Sequence, residues 1–126
     1  MAREASRSYL HLRSPSEFRR VYERGKRYDG HLVSAFMQPN NLLDHRIGIT
    51  ASRKAIGNAV ERNRAKRLLR ETFRLSSVSL DKLQTKYDFV LNARRRLLLV
   101  KLAAPFEEFQ KIIAAAAKDE QRHGNQ

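Results

Sequence analysis

Cysteine and tryptophan are absent from this 126-residue chain, and proline (three) and glycine (five) are sparse. Without cysteine there is no disulfide, no thiolate metal site and no thiol nucleophile. That composition fits a reducing compartment, so a cytoplasmic location is expected. No internal repeat is visible, and a single domain over residues 1–126 is expected. No apolar stretch lies between Met1 and Pro15, so no secretory signal is read there. The longest apolar runs, Leu97–Val100 and Ile112–Ala117, are far too short to span a bilayer, and no membrane association is expected. Acidic side chains are scarce as well: 13 Asp and Glu stand against 26 Lys and Arg, a net charge of +13. Such an excess repels itself in a folded domain unless a polyanion compensates it. It points to nucleic acid first, and to an anionic membrane surface or another acidic partner after that. With 41% apolar residues, six Phe and four Tyr, the chain has the material for a modest core and is not a disordered tail.

Enzyme signatures are missing too. The four histidines (His11, His31, His45, His123) are scattered and none forms a His-x-x-x-His pair, so no metal site is expected. There is no phosphate-binding Gly-x-x-x-x-Gly-Lys loop and no Gly-x-Ser-x-Gly elbow. Asp44, Asp88, Glu61 and Glu71 read as single carboxylates that balance charge. No catalytic constellation emerges.

The periodicity describes a mixed fold. Residues 1–14 are basic, Ser-rich and aperiodic, a mobile arm or an edge segment; residues 1–13 and 120–126 are expected to be mobile. Ser14-Pro15-Ser16-Glu17 starts a helix, Phe18, Val21 and Tyr22 form its apolar stripe, and Gly25 stops it. His31–Gln38 and His45–Ser52 alternate as strands, and Pro39-Asn40-Asn41 between them predicts an antiparallel hairpin with a long loop. A helix follows over Ala59–Leu75, with Ala65, Leu68, Leu69, Thr72 and Phe73 on one arc. Residues 76–85 read as a polar connector and Tyr87–Ala93 as a third strand. Pro105 is placed at the first position of a last helix, with Glu107 and Glu108 in its first turn and an end before Gly124. Arg94–Ala103 fits neither period. The sum is one small sheet whose apolar alternants bury against helices. Its other alternants (Ser34, Phe36, Arg46, Thr50, Ser52, Val90, Asn92) leave a polar face with a few rings, a candidate binding surface.

The densest signal runs from Ala51 to Glu71. Arg62, Asn63, Arg64, Lys66, Arg67, Arg70 and Arg74 lie opposite the apolar arc, a row of bidentate donors suited to phosphate oxygens, with an amide at Asn63 that can reach a base edge or a 2′-hydroxyl. Only Glu61 and Glu71 lie beside it, so the like charges at i, i+4 are not met within the helix. A solvated helix face is the plainer reading of a charge run. The run Arg62-Asn63-Arg64-x-Lys66-Arg67-x-x-Arg70-Glu71, preceded by Ser52-Arg53-Lys54 and Gly57-Asn58-Ala59-Val60, closely resembles the signature of the bacterial ribonuclease P protein subunit. Phe18-x-x-x-Tyr22-x-x-Gly25, Arg46-Ile47-Gly48 and Tyr87-Asp88-Phe89-Val90 extend the resemblance over roughly residues 13–115.

The resemblance implies an α+β fold, an α-β-β-β-α-β-α two-layer sandwich with one small, mostly antiparallel sheet and a left-handed β-α-β crossover, as in some ribosomal proteins. A fourth strand is then expected near Lys26–Gly30. The resemblance also implies that the chain assists a catalytic RNA that removes the 5′ leader of precursor tRNA, with Mg²⁺ held by that RNA and no cofactor on the protein. Arg53, Lys54, Asn58, Arg62, Asn63, Arg64, Lys66, Arg67 and Arg70 would contact the catalytic RNA. A cleft with Phe18, Tyr22, Ser34, Phe36 and Arg46 would hold the leader, although Phe18 and Tyr22 also suit plain core packing. No protein partner is implied. The alternative is a ribosomal or RNA-assembly protein with no processing role; a membrane-surface helix is disfavoured because the sheet needs the apolar arc of residues 59–75.

The net charge of +13 opposes the compact state more than the expanded one, and a bound polyanion relieves it in the fold alone. Partial unfolding is expected in low-salt, phosphate-free buffer, with recovery on adding sulfate, phosphate or RNA. A ligand of the native state at a hundredfold excess over Kd adds about 2.7 kcal/mol. Circular dichroism through a sulfate titration checks this: a saturating gain marks site binding, whereas sulfate exclusion rises without limit. A fully folded signal in anion-free buffer overturns it.

Overall fold

Tyr87–Ala93 (β5) is buried at every position but Asn92, which a strand achieves only with a neighbour on each edge and cover on both faces. The structure, a computed structural model, describes residues 10–124, with side chains described as far as Arg122. Along the chain come β1 (Leu10–His11), α1 (Pro15–Arg24), β2 (Lys26–Asp29), β3 (Val33–Pro39), β4 (Arg46–Thr50), α2 (Ala59–Leu75), α3 (Ser77–Leu80), β5, a 3-10 turn (Arg95–Leu99) and α4 (Ala103–Gly124). The five strands form one sheet in the order β1-β4-β5-β3-β2, with β5 central. β2 and β5 pair antiparallel with β3, while β4 pairs parallel with both β1 and β5. The extra strand expected near Lys26–Gly30 is β2, hidden in the sequence because an edge strand carries charge instead of an apolar alternation.

The expected hairpin of β3 and β4 does not form. β5 inserts between them, pairing Ala35 with Leu91 on one side and Ile49 with Leu91 on the other. The unbroken apolar run Phe89-Val90-Leu91 is the local sign of that central place. The expected arm from residue 1 lies outside the described residues up to residue 9; Leu10 and His11 are the edge segment, paired with Arg46 and Ile47.

On one face of the sheet, Val33, Ala35, Met37, Ile47, Phe89 and Leu91 pack with Ala65, Leu69 and Phe73 of α2 and Phe109, Ile112, Ile113 and Ala116 of α4. The rings of Phe73, Phe89 and Phe109 meet at centroid distances of 5.3 to 6.0 Å. The opposite face holds α1 over Leu12, Val21 and Val90. The segment read as a polar connector contains α3, whose Leu80 joins this core with Leu83 just after it. The unplaced leucines form the 3-10 turn, which buries Leu97 and leaves Leu99 exposed.

The last helix starts at Ala103, two residues before the expected Pro105, and runs through Gly124. Proline is tolerated anywhere in a first turn, where backbone N–H groups lack intrahelical acceptors. Glu108 therefore lies beyond the first turn and serves another purpose. Its Oε1 accepts from His31 N at 2.8 Å, and its Oε2 from Leu32 N at 2.8 Å and Val33 N at 3.0 Å, tying α4 to the β2–β3 turn. A Cβ on Gly30 would lie 2.2 Å from that Oε2, so glycine is required there by space.

His45 closes the far end. Its Nδ1 accepts from Tyr87 N at 3.0 Å, which fixes the proton on Nε2, facing Leu80 O at 3.3 Å. Burial pushes the imidazole pKa down, with the nearby Lys86 ammonium acting the same way and Asp81 opposing it. A group neutral in the fold and more basic when unfolded withdraws stability as pH falls below the unfolded value of about 6.5, continuing down to the lowered folded value. The melting temperature of the protein is expected to fall between pH 7 and pH 5 more steeply than that of a His45→Gln variant. Parallel pH profiles for the two would contradict this.

Candidate nucleic-acid interface

α2 begins where the residue before it forces a turn. Gly57 has φ of +135°, and a Cβ there would lie 2.2 Å from Glu61 Oε1. Asn58 then caps the helix: its side chain accepts from Glu61 N at 2.8 Å while Glu61 Oε1 accepts from Asn58 N at 3.1 Å. Asn58, expected to touch RNA, thus first sets the helix start, and Glu61 is taken up by the same box. Ala65, Leu69, Thr72 and Phe73 turn inward.

The cations divide by surroundings. Arg53, Lys54, Asn63, Arg67 and Arg70 are exposed, and Lys66 is half-buried. Arg62 donates to Gly57 O at 2.8 Å, which holds it against the turn. Arg64 leaves the row and reaches the 3-10 turn, donating to Leu98 O at 3.1 Å and Val100 O at 3.3 Å. Arg74 is met by Glu71 at 2.7 Å, so the expected run of unmet charge stops one turn earlier. Among the described residues, no carboxylate forms an ion pair with Arg53, Lys54, Arg62, Lys66, Arg67 or Arg70.

The second sheet face is organised in three cross-strand rows. Registers align Arg46 with Asp88 and Gln38; Gly48 with Val90, Phe36 and Arg27; and Thr50 with Asn92, Ser34 and Asp29. α1 crosses all three. Glu17 reaches the charged row, Phe18 and Val21 cover the apolar one, and Tyr22 extends to the polar one. Phe18 sits in the space that Gly48 leaves, since a Cβ on Gly48 would lie 2.5 Å from Phe18 Cζ. Phe18 is half-buried in that packing, whereas Tyr22 is 38% exposed and stands edge-on to Phe36 at 4.9 Å. Of the two helix rings Phe18 is thus the more deeply packed, and Tyr22 presents an exposed surface beside Phe36. Arg27 lies over the Phe36 ring at 5.3 Å.

Two further cleft candidates are engaged elsewhere. Arg46 is bidentate on the buried Asp88, at 2.8 and 2.7 Å, and its Nη1 donates to Glu17 at 3.0 Å. These carboxylates raise the guanidinium pKa. Ser34 is buried, donates to Asp29 at 2.9 Å and accepts from Arg94 at 3.4 Å. Sequence reasoning places Thr50 and Asn92 on this face without assigning them a role. They meet: Asn92 Oδ1 accepts from Thr50 at 2.6 Å and from Tyr22 at 2.9 Å. Among the described residues, no three His, Asp or Glu side chains come together to hold a metal ion. Among the described residues, no helix is long and apolar enough to cross a membrane.

The chain ends of β4 and β5, which run parallel, lie together at the polar row. One continues into Arg53-Lys54 and the other into Arg94-Arg95-Arg96. The exposed Tyr22 ring beside Phe36, the cations where β4 and β5 end, and the helix face of unpaired cations on the other side of the sheet have the chemistry to hold bases and a phosphate backbone.

Comparison with known proteins identifies relatives of the chain. The model of the Ribonuclease P family matches residues 7–117. The chain is 42% identical over 87 residues to a ribonuclease P protein component of Clostridium novyi, covering 68% of this chain and 74% of that one. It is 39% identical over 100 residues to that of Methylococcus capsulatus, covering 79% and 75%. Among solved structures, the RNase P protein of Thermotoga maritima superposes with a TM-score of 0.70 at 25% identity, covering 85% of this chain and 96% of that one. That of Staphylococcus aureus gives 0.71 at 24% identity, covering 86% and 96%, a likeness of fold.

The seat of Phe18 on Gly48 makes the cleft wall testable. Gly48→Ala is expected to lower stability by about 1–3 kcal/mol, because either the ring or β4 must shift. Urea unfolding measures it, and an unchanged midpoint would place Phe18 elsewhere.

Proposed function

The chain belongs to the ribonuclease P protein family, and from that membership we propose that it assists the removal of the 5′ leader from precursor tRNA. As a protein component of ribonuclease P it is an RNA-binding subunit of an endoribonuclease. In the proposed division of labour the RNA subunit carries the hydrolysis and holds the Mg²⁺. Arg53, Lys54, Arg62, Asn63, Lys66, Arg67 and Arg70 grip that RNA through phosphates, with Asn58 and Arg64 holding the helix start and the 3-10 turn beside them. The leader lies in the cleft against Tyr22 and Phe36, with Phe18 as the floor. Ser34 and Arg46 act indirectly, Ser34 by holding Asp29 and Arg94, and Arg46 by fixing α1. The observation that carries the proposal is the set of cations on α2 without a carboxylate partner, together with the exposed Tyr22 ring beside Phe36. A ribosomal or assembly role suits the charge equally but gives the cleft nothing to bind.

Reconstitution tests it. The chain together with its RNA subunit is expected to cleave precursor tRNA at Mg²⁺ levels where the RNA alone is slow, and the isolated chain is expected to be inactive. Replacing Arg62, Lys66 and Arg70 by Ala is expected to flatten the log–log salt dependence of RNA binding by roughly 0.7–0.9 for each phosphate no longer neutralised. Cleavage by RNA-free protein would refute the division of labour, and an unchanged slope would place the RNA on another face.

A further inference from the structure

We propose that Asn92 reads one leader nucleotide, as a donor-only amide that selects the base edge with oxygen at purine C6 or pyrimidine C4 (guanine, uracil) over the edge with an amine there (adenine, cytosine). The inference rests on the leader occupying the cleft.

Asn92 stands on the central strand, half-buried, in the row shared with Thr50 and Ser34. Two hydroxyls converge on its Oδ1, Thr50 Oγ1 at 2.6 Å and Tyr22 OH at 2.9 Å. The shorter distance belongs to O–H···O geometry and is below the usual N–H···O range, so the oxygen and not the nitrogen of the amide faces Thr50. A carbonyl oxygen has two lone pairs, and both are taken. Among the described residues Asn92 Nδ2 has no hydrogen-bond partner, and it is not among the buried unsatisfied atoms, which comprise Thr72 Oγ1 alone. The amide therefore shows the cleft two N–H donors and no acceptor, and its rotation is blocked from two elements, α1 and β4.

A base resting against Tyr22 and Phe36 turns an edge toward this amide. The O6 of guanine or O4 of uracil accepts from it. The N6 amine of adenine or N4 amine of cytosine at the same place meets donors with a donor and is disfavoured. An ordinary asparagine rotates to suit either; the two hydroxyls deny this one that freedom. Tyr22 and Thr50 are thus positioning residues for the reader.

The test uses the chain reconstituted with its ribonuclease P RNA. Binding is measured for precursor tRNAs carrying guanosine, uridine, adenosine, cytidine or inosine at each leader position in turn, and for tRNA without a leader. At one position guanosine, uridine and inosine are expected to bind about three- to tenfold more tightly than adenosine and cytidine. Inosine against adenosine exchanges the 6-amine for a 6-keto oxygen, with N1 passing from acceptor to donor, and leaves the rest of the purine unchanged. Asn92→Asp turns the donor into an acceptor and is expected to reverse the order. Thr50→Val frees the amide to rotate and is expected to reduce the preference, which keeps the inference testable if the Asp variant does not fold. Crosslinkers at Tyr22 and Phe36 report separately on the leader. If the leader adds no affinity and the crosslinks fall on the tRNA body, the leader reading fails and the inference with it. If the leader binds and crosslinks but no position prefers keto bases, or the folded Asp variant keeps the wild-type order, the inference alone is overturned.

Discussion

The position of α1 on the sheet depends on one guanidinium. Arg46 is held by Asp88, whose side chain is 4% exposed, and by Glu17 from α1. Glu17 is shared between two structures: its Oε1 accepts from Arg13 N at 2.6 Å and Ser14 N at 3.0 Å to start the helix, while its Oε2 takes Arg46. The two backbone donors, with Arg46 adding to them, keep this carboxyl below the usual carboxylate range. Capping and docking of α1 are therefore a single event. Removing one member of a buried pair typically costs about 3–5 kcal/mol, since the other charge is left uncompensated. Every feature of the cleft, from Phe18 on Gly48 to Tyr22 on Asn92, follows from where this pairing sets the helix.

The same economy governs the acidic residues as a group. Glu61 caps α2, Glu108 binds the β2–β3 turn, Asp119 joins Lys26 to Tyr28, and Glu120 holds Tyr87. These carboxylates are fittings of the fold, and among the described residues only Glu71, paired with Arg74, forms an ion pair with a cation of α2. The charge imbalance legible in the composition is therefore sharper on the surface than in the sequence. That is the physical basis on which a polyanion, and not a generic acidic neighbour, suits this helix.

Local pattern made much of the fold legible. The helix start at Ser14-Pro15-Ser16-Glu17, the arc of Ala65, Leu69 and Phe73, and the alternation of Tyr87–Ala93 are contained within a few residues each, whereas the cap at Asn58 was read only as an RNA contact. What eluded sequence reasoning was non-local. Which strands flank β5 depends on pairing across the chain, and α3 and the 3-10 turn are defined by where Leu80 and Leu97 bury, not by a period. The interface divides in the same way. The cations of α2 could be read off in order, but Arg46 looked free because Asp88 lies far along the chain, and Arg64 looked like part of the row because Leu98 and Val100 do. Thr50, Asn92 and Tyr22 come from three separate segments, and nothing short of the register brings them together.

Parallel pairing of β4 with β5 brings the segment leading into α2 and the start of the 3-10 turn to one end of the sheet. Parallel strands end on the same side, so the residues that leave β4 and β5 emerge together beside the polar row. Both connections return to the same core: α2 through Phe73, and the 3-10 turn through Leu97. The cation face and the cleft therefore cannot move independently without disturbing the contacts of Phe73 and Phe89. An RNA that fixes α2 fixes the direction in which the cleft opens, to within the rigidity of a close-packed interior. The cations of α2 and the Tyr22–Phe36 pair are thus carried on the two faces of one sheet, so their relative placement is set by the shared strands β4 and β5.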